Sequence, residues 1–305
     1  MEASTVVSFS CAVLASCGNA TANVMQRKAS LSQPDLPFGP RLLWSLVRTP
    51  TWLIGFGGLV GSFVLQAVAL SNGELSAVEP IITLEVPLTL LVASWVFSGS
   101  LSSNDWTSIL VMTGGMIVLV SALAPSGGDP TKVDHLTWVA AGGATAATIF
   151  ALIIAARRGG RLWRTACLGA AAGTSFGMTA TMIKETMAQL SEHGVMGIIT
   201  SWRTYVAIGF GILGLVLVQA ALHQGPLVAA QPGFTLMDPL VSILWGVLIF
   251  NEQTRTGWWL VIATLGAIGI GAGVFRLARS PLLAEVKEEL RPAPVSSGTA
   301  RFGEA

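Results

Sequence analysis

The chain has 305 residues, of which 52% are hydrophobic and only 11% are charged, and its mean hydropathy is +0.68. Soluble domains carry about 25% charged residues, so this composition excludes a water-soluble fold. The net charge of +1 gives no electrostatic reason to expect nucleic acid as a partner. The three cysteines lie in apolar stretches without motif spacing, which predicts neither disulfides nor a metal site, and no cofactor is expected.

Apolar segments recur along the chain, each long enough to cross a hydrocarbon core about 30 Å thick. We therefore expect an all-α polytopic membrane protein with about nine transmembrane helices. The predicted spans 1 to 9 lie at about 4–26, 51–71, 75–98, 105–124, 136–156, 165–189, 203–222, 226–250 and 256–277.

Positive charge is concentrated on one side of this arrangement. Of the 17 Lys and Arg residues, 13 lie after spans 1, 5 and 9, and Lys184 lies within span 6. Because cytoplasmic loops carry the excess of Lys and Arg, we expect a cell-membrane protein with its N-terminus outside and its C-terminus in the cytoplasm. The tail at 280–305 is rich in Pro, Ser and Gly, which predicts disorder.

The two halves of the chain share a motif. P-x-x-T-L-x-x-P-L occurs at 80–88 and again at 232–240, and Trp106 matches Trp258 at the same offset. Equivalent spans are five apart, an odd number, so the halves cross the membrane in opposite directions. Inverted repeats are typical of alternating-access transporters, although duplication could also have built only a larger bundle. The predicted units are a first half at 1–124, a connector at 125–164, a second half at 165–279 and the tail at 280–305.

These features resemble the drug/metabolite transporter (EamA-like) superfamily, and within it the nine-helix branch related to the NIPA magnesium transporters. The resemblance implies a 4+1+4 helix arrangement and a permease for a metabolite or a cation such as Mg²⁺. NIPA-like proteins usually read V-T-P-L-G-A-L where this chain has Val78 to Leu84. The residues that carry the resemblance are Gln66 to Gly73, Pro80, Gly114, Ala124-Pro125 and the segment from Gln219 to Glu252.

Charged side chains within the spans are the first candidates for a site, because each costs roughly 2.5 to 3.5 kcal/mol near the midplane. Glu85 and Asp238 lie near the middle of their spans and are predicted to bind a cation or proton. Glu79 and Lys184 lie toward the outer ends, where we expect an outer gate. The alternative is a structural ion pair, for example of Lys184 with Glu79 or Glu185.

Polar residues at helical spacing accompany these charges. Glu79 and Thr83 share one face of span 3, and Gln231, Thr235 and Asp238 share one face of span 8. The two stripes are expected to face a common cavity. Weaker candidates, equally suited to joining helices, are Asn19, Asn23, Gln66 and Gln219.

Prolines inside spans 3 and 8 are predicted hinges, because each leaves the carbonyl four residues earlier without its usual donor. The freed carbonyls either meet a ligand or are satisfied by a local 3₁₀ adjustment or a Ser/Thr side chain, and both alternatives stay open. The four prolines are Pro80, Pro87, Pro232 and Pro239.

Small and aromatic residues have structural interpretations. Three motifs with glycine at every fourth position predict close helix packing, at 57–61, 169–177 and 269–273. Tryptophans near the span ends predict an interfacial belt, namely Trp52, Trp106, Trp138, Trp163, Trp202, Trp258 and Trp259.

The sequence therefore predicts a secondary transporter whose site lies between spans 1, 3, 6 and 8. It contains no nucleotide-binding or hydrolase motif, so we do not expect an enzyme. The alternatives are a non-transporting scaffold or accessory subunit and, less favoured, an intramembrane enzyme. The expected partners are the lipid bilayer and a small-molecule or cation substrate, with a homodimer left open.

Overall fold

The computed structural model describes residues 2–31, 48–97, 101–224 and 227–277. Within those ranges the chain is helical apart from its connections, a 3₁₀ turn at Pro130–Lys132 and an isolated bridge between Ser126 and Gln253. The all-α prediction is confirmed for these residues. The predicted tail at 280–305 lies outside them.

Ten α-helices occur in the described ranges, numbered here in chain order. They are α1 (Glu2–Leu31), α2 (Pro50–Asn72), α3 (Leu75–Ile82), α4 (Glu85–Val96), α5 (Ser103–Leu123), α6 (His135–Arg158), α7 (Arg161–Thr200), α8 (Trp202–Gln224), α9 (Leu227–Leu248) and α10 (Trp258–Leu277).

Seven helical segments in the described part are long and apolar enough to cross a membrane. One of them, Leu75–Val96, combines α3 and α4. Helices α8 and α9 contain shorter apolar stretches, Trp202–Val218 and Pro232–Leu248. The protein thus has the architecture of a polytopic helical membrane protein. The nine predicted spans correspond to seven such segments and two shorter helices.

Span 3 is interrupted between α3 and α4. Thr83 (φ −61°, ψ −14°) and Leu84 (φ −60°, ψ −17°) have dihedral angles close to those of a 3₁₀ turn. Pro87 has no N–H for the Thr83 carbonyl, which instead accepts from the Val86 N–H at 3.2 Å. The Thr83 hydroxyl donates to the Pro80 carbonyl at 2.6 Å. Of the two alternatives, the local 3₁₀ adjustment is therefore the one observed here.

The other three prolines do not interrupt their helices. Helix α3 continues through Pro80, and α9 continues through Pro232 and Pro239. Ser16 of α1 adds an interhelical bond just before the break, since its hydroxyl lies 3.2 Å from the Ile81 carbonyl. The two repeated motifs therefore differ, because the first is a broken helix and the second a continuous one.

Helix α7 is longer than span 6. The prediction ends the span at 189, but the helix continues to Thr200 through a kink at Gly194, whose φ of +64° favours glycine. Residues 191–196 are exposed. Their polarity lowers the local hydropathy, but it does not prevent helix formation at the end of the bundle.

Helices α5 and α6 begin at residues whose side chains cap them. At α5, the Ser102 hydroxyl accepts from the Asp105 N–H at 3.2 Å and the Asp105 carboxylate accepts from the Ser102 N–H at 2.9 Å, a capping box. At α6, Asp134 accepts from Thr137, and the Thr137 hydroxyl holds the pKa of the Asp134 carboxyl below its usual value. Both helices therefore begin at a defined residue.

Glycines allow α7 to pack closely on α9. A Cβ placed on Gly169, Gly173 or Gly177 would lie within 3 Å of the α9 backbone. On α10, a Cβ on Gly273 would lie 2.9 Å from Met112 Cβ of α5. The packing interpretation is confirmed for these two motifs.

The motif at 57–61 differs from the other two. No described atom lies within 4 Å of a Cβ placed on Gly57 or Gly61, and both residues are exposed. The packing interpretation is therefore wrong for this motif within one protomer, because the α2 face that packs on α1 carries Gly55 and Gly58 instead.

We expect Gly173→Leu to destabilise the fold. Its Cβ alone would lie 2.5 Å from the Phe234 carbonyl oxygen, and overpacking of this kind costs about 1 to 3 kcal/mol or more. Gly57→Leu is the matched control, because its side chain would enter open space. Thermal unfolding in detergent should show a lower Tm for the first variant alone. Equal Tm values would contradict this account of the α7–α9 contact.

Most of the predicted tryptophan belt is exposed, but Trp138 is not. Its side chain is 1% exposed and contacts Phe250 edge-on, with 5.9 Å between the ring centroids. The belt prediction is wrong for this residue, which packs in the core. The exposed members, with positions compatible with a belt, are Trp106, Trp163, Trp202, Trp258 and Trp259.

Candidate functional site

Three carboxylates from the two halves of the sequence lie on α3 and α4, which are consecutive, and on α9, which packs against α3. Glu79 lies in α3 and is 2% exposed, Glu85 is the first residue of α4, and Asp238 lies in α9. Asp238 is within electrostatic range of both glutamates. We call these three residues the carboxylate cluster. Charges of the same sign repel more strongly in an apolar interior than in water, so the cluster is a costly arrangement.

Amide side chains contact the two glutamates. Gln66 of α2 donates from Nε2 to Glu79 Oε1 at 3.0 Å, and Asn23 of α1 donates from Nδ2 to Glu85 Oε1 at 2.6 Å. Asn19 of α1 is also within hydrogen-bonding range of Glu85. Three of the four weaker candidates thus adjoin the carboxylates. The side chain of the fourth, Gln219, lies outside the described part, as does that of Gln231.

Helix α9 presents polar atoms without a described hydrogen-bond partner. They are Thr235 Oγ1, Asp238 Oδ1 and Ser242 Oγ, all with almost no accessible surface. The spacing i, i+3 and i+7 places them on one helical face. Buried polar groups are usually paired, and an unpaired one costs about 1 to 3 kcal/mol. This stripe is therefore a candidate surface for a ligand or water.

Thr83, the first-half equivalent of Thr235, is already engaged. Its hydroxyl and its carbonyl both bond within the α3–α4 break. Of the two predicted polar stripes, only the one on α9 therefore has polar atoms without a described hydrogen-bond partner. The physical reason is that Thr83 satisfies the break in its own helix, whereas α9 has no such break.

A second buried polar network joins Lys184 of α7 to Glu252. The Lys184 Nζ lies 2.7 Å from Glu252 Oε1, and their side chains are 6% and 0% exposed. Nζ also donates to the Gly73 carbonyl at 3.0 Å and lies 5.3 Å from the Phe250 ring centroid. The predicted pairing of Lys184 with Glu79 or Glu185 is wrong, because the lysine reaches the connection between α9 and α10.

Glu252 also caps α3. The backbone N–H groups of Leu75 and Ser76 donate to its two carboxylate oxygens at 2.6 and 3.0 Å, and the Ser76 hydroxyl donates at 2.5 Å. A carboxylate is favoured at a helix N-terminus by the free N–H groups and the helix dipole. Glu252 thus holds together α3, α7 and the connection to α10. We call the end of the bundle that carries Glu252, Lys184 and Ser76 the Glu252 end.

Arg203, the other basic side chain of the described part that is not exposed, is paired as well. Arg203 of α8 donates from Nη1 to Glu185 of α7 at 2.5 Å, and the Glu185 side chain is 1% exposed. The guanidinium carbon lies 5.6 Å from the Trp138 ring centroid and 5.7 Å from that of Trp202. This pair joins α7 to α8.

Connections at the Glu252 end pair with each other. Ser126 and Gln253 exchange two backbone hydrogen bonds of 2.9 Å, and the Asp129 N–H donates to the Phe250 carbonyl at 2.9 Å. Two surface pockets of about 520 and 310 Å³ lie here. The larger is lined by residues including His135, His193 and Arg203. Neither pocket includes a member of the carboxylate cluster.

Sequence reasoning missed Glu252 as a functional residue. It lies in a short polar connection between apolar segments, which ordinarily indicates exposure to solvent, yet it is 2% exposed. Its partners Leu75 and Ser76 are 177 and 176 residues away. The only local signal is its place at the end of the segment that resembles the transporter superfamily.

Within the described ranges, no group of three or more His, Cys, Asp or Glu side chains is close enough to hold a metal ion. The carboxylate cluster is therefore close enough for electrostatic interaction but too open to chelate. Its three carboxyl groups are polar groups within a largely apolar bundle.

Comparisons with known proteins give one relative and no family. An uncharacterized protein of Corynebacterium glutamicum is 25% identical over 233 residues, which is 72% of this chain and 76% of that protein. No family model matches, and no solved structure matches. The resemblance to the drug/metabolite transporters therefore stays a prediction.

Proposed function

We propose that this protein is a secondary transporter that moves a small solute across the cytoplasmic membrane by alternating access. The observation that carries the proposal is the carboxylate cluster. It combines Glu79 and Glu85 of the first half with Asp238 of the second half inside a helical membrane bundle. Charged residues at such depth normally serve an ion or substrate pathway.

The packing supports the proposed inverted repeat. Helix α1 packs on α2 as α7 packs on α8, and these are equivalent pairs in the repeat. The equivalent helices α5 and α10 pack on each other. A Cβ on Gly115 would lie 2.7 Å from the Gly266 carbonyl oxygen, and one on Gly266 would lie 2.7 Å from that of Gly115.

The proposed orientation agrees with the contacts between connections at the end of the bundle opposite the Glu252 end. Arg161 donates to the Gln224 carbonyl at 2.7 Å, and Arg276 donates to Asn104 at 2.8 Å. These residues belong to connections assigned to the cytoplasm by their positive charge. The Glu252 end is then the outer end, and its paired connections and ion pair would form a closed outer gate.

A non-transporting scaffold is the second candidate. It would need helix packing and structural ion pairs, which Lys184–Glu252 and Arg203–Glu185 provide. A scaffold has no use for the carboxylate cluster, whose members form no ion pair with a described cation. The uncompensated cluster therefore favours transport over a purely structural role.

Purified protein in liposomes tests the proposal. We expect concentration-driven flux for at least one member of a panel of amines, amino acids, sugars, nucleotides and divalent cations. Protein-free liposomes and the double variant Glu85→Gln/Asp238→Asn are the controls, because the variant keeps the shape of the cluster without two of its charges. Absence of both flux and ligand-dependent thermal shift across the panel would support the scaffold instead.

A further inference from the structure

The carboxylate cluster lacks a positive partner within the described part of the chain. The two basic side chains of the described part that are not exposed are already paired, Lys184 with Glu252 at 2.7 Å and Arg203 with Glu185 at 2.5 Å. No described Lys, Arg or His forms an ion pair with a member of the cluster. The charge balance of this region is therefore incomplete without a bound cation or protons.

The amide partners position the carboxylates but do not neutralise them. Gln66 and Asn23 each donate one hydrogen bond to a glutamate, at 3.0 and 2.6 Å. An amide side chain also carries a carbonyl oxygen that accepts. These neutral donors leave the charge balance of the cluster to a bound cation or to protons.

The stripe on α9 supplies an independent indication of a ligand. Thr235 is 6% exposed and Ser242 is 0% exposed, yet neither hydroxyl has a described partner. Asp238 lies between them on the same face, with Oδ1 unpaired, and α9 packs against α3, the helix that carries Glu79. A group with several N–H donors would satisfy these acceptors together.

The arrangement of the ligating side chains favours a primary ammonium group over Ca²⁺ or Mg²⁺. Ca²⁺ takes six to eight oxygen ligands and Mg²⁺ requires near-ideal octahedral coordination, and in the described ranges no group of three or more His, Cys, Asp or Glu side chains could hold a metal ion. A primary ammonium has three donors and forms separate hydrogen bonds to acceptors that need not converge on one point. It also neutralises one carboxylate without being chelated.

We propose that the carboxylate cluster and the α9 stripe bind the primary ammonium group of an organic cation, and that an amine is the transported solute. This inference rests on the proposed transport function. Asp238 and Thr235 of the second half and Glu85 of the first would contact the ammonium. The amine would then link the halves directly, as a substrate must when its binding changes their packing.

Binding of amines to the purified protein in detergent tests the site. We expect propylamine and putrescine to raise the Tm in a saturable manner, whereas propanol, sodium and Mg²⁺ at equal ionic strength do not. In Asp238→Asn and Glu85→Gln the Kd for the amine should rise at least about ten-fold, which corresponds to about 1.4 kcal/mol. Glu192→Gln is the control, because Glu192 is a surface carboxylate with 46% of its side chain exposed.

The outcomes separate this inference from the transport proposal. Stabilisation by Mg²⁺ but not by amines, or an unchanged amine affinity in Asp238→Asn, would overturn the ammonium site. If the variants fail to fold, Thr235→Val, which keeps the shape and removes the hydroxyl, should still weaken amine binding. Amine binding without flux would retain the site and reject transport, whereas flux of an anion or neutral solute without amine binding would retain transport and reject the site.

Discussion

Glu252→Ala is expected to lower the free energy of unfolding by about 3 to 5 kcal/mol, the usual cost of removing one partner from a buried ion pair. The variant would leave Lys184 without a carboxylate in an apolar environment. It would also leave the N–H groups of Leu75 and Ser76 without their acceptors. Thermal unfolding in detergent, with loss of secondary structure as the signal, measures the effect.

Lys184→Met should cost less than Glu252→Ala. In that variant the carboxylate still accepts three hydrogen bonds from α3, two from N–H groups and one from the Ser76 hydroxyl. The double variant should lose less free energy of unfolding than the two single variants lose together, because the two side chains are in direct contact. Glu192→Ala, at the exposed pair with His193, is the control and should leave the Tm unchanged. If Glu252→Ala has the same Tm as the original chain, the Glu252–Lys184 network does not stabilise the fold.

Glu85→Gln and Asp238→Asn are expected to abolish uptake driven by an ion gradient while leaving the fold intact. Each change keeps the size of the side chain and removes the charge that binds a cation or proton. The structure gives both residues a neighbourhood suited to this role, since Asn23 donates to Glu85 at 2.6 Å and Asp238 Oδ1 has no described partner. Removing the negative charges also relieves their mutual repulsion, so the Tm should not fall.

Uptake into proteoliposomes under an imposed pH or sodium gradient measures the coupling. The solute is the one that shows flux in the panel, and Glu192→Gln serves as the matched carboxylate control. Unchanged gradient-driven uptake in both variants would rule out Glu85 and Asp238 as the coupling groups.

Several parts of the architecture could be predicted because they depend on local sequence. The sequence predicts span 1 at 4–26, and the apolar segment of α1 is Ser4–Gln26, since hydropathy and helical periodicity are properties of consecutive residues. The packing of Gly173 on α9 could be predicted for a similar reason, because only small residues let helices approach so closely. The outward face of Gly57 could not, since an identical local motif is compatible with packing or exposure.

The sequence by itself determined that the chain is helical and membrane-spanning. It also identified Glu79, Glu85, Lys184 and Asp238 as charged residues within apolar spans. The tertiary structure decided their partners. Glu252 forms an ion pair with Lys184 and accepts a hydrogen bond from Leu75 at the start of α3, a residue 177 positions away in the sequence. Asp238 interacts electrostatically with Glu79 and Glu85. Apolar runs identify helices because each helix satisfies its own backbone, whereas a buried charge must find its partner on another helix, which local sequence does not specify.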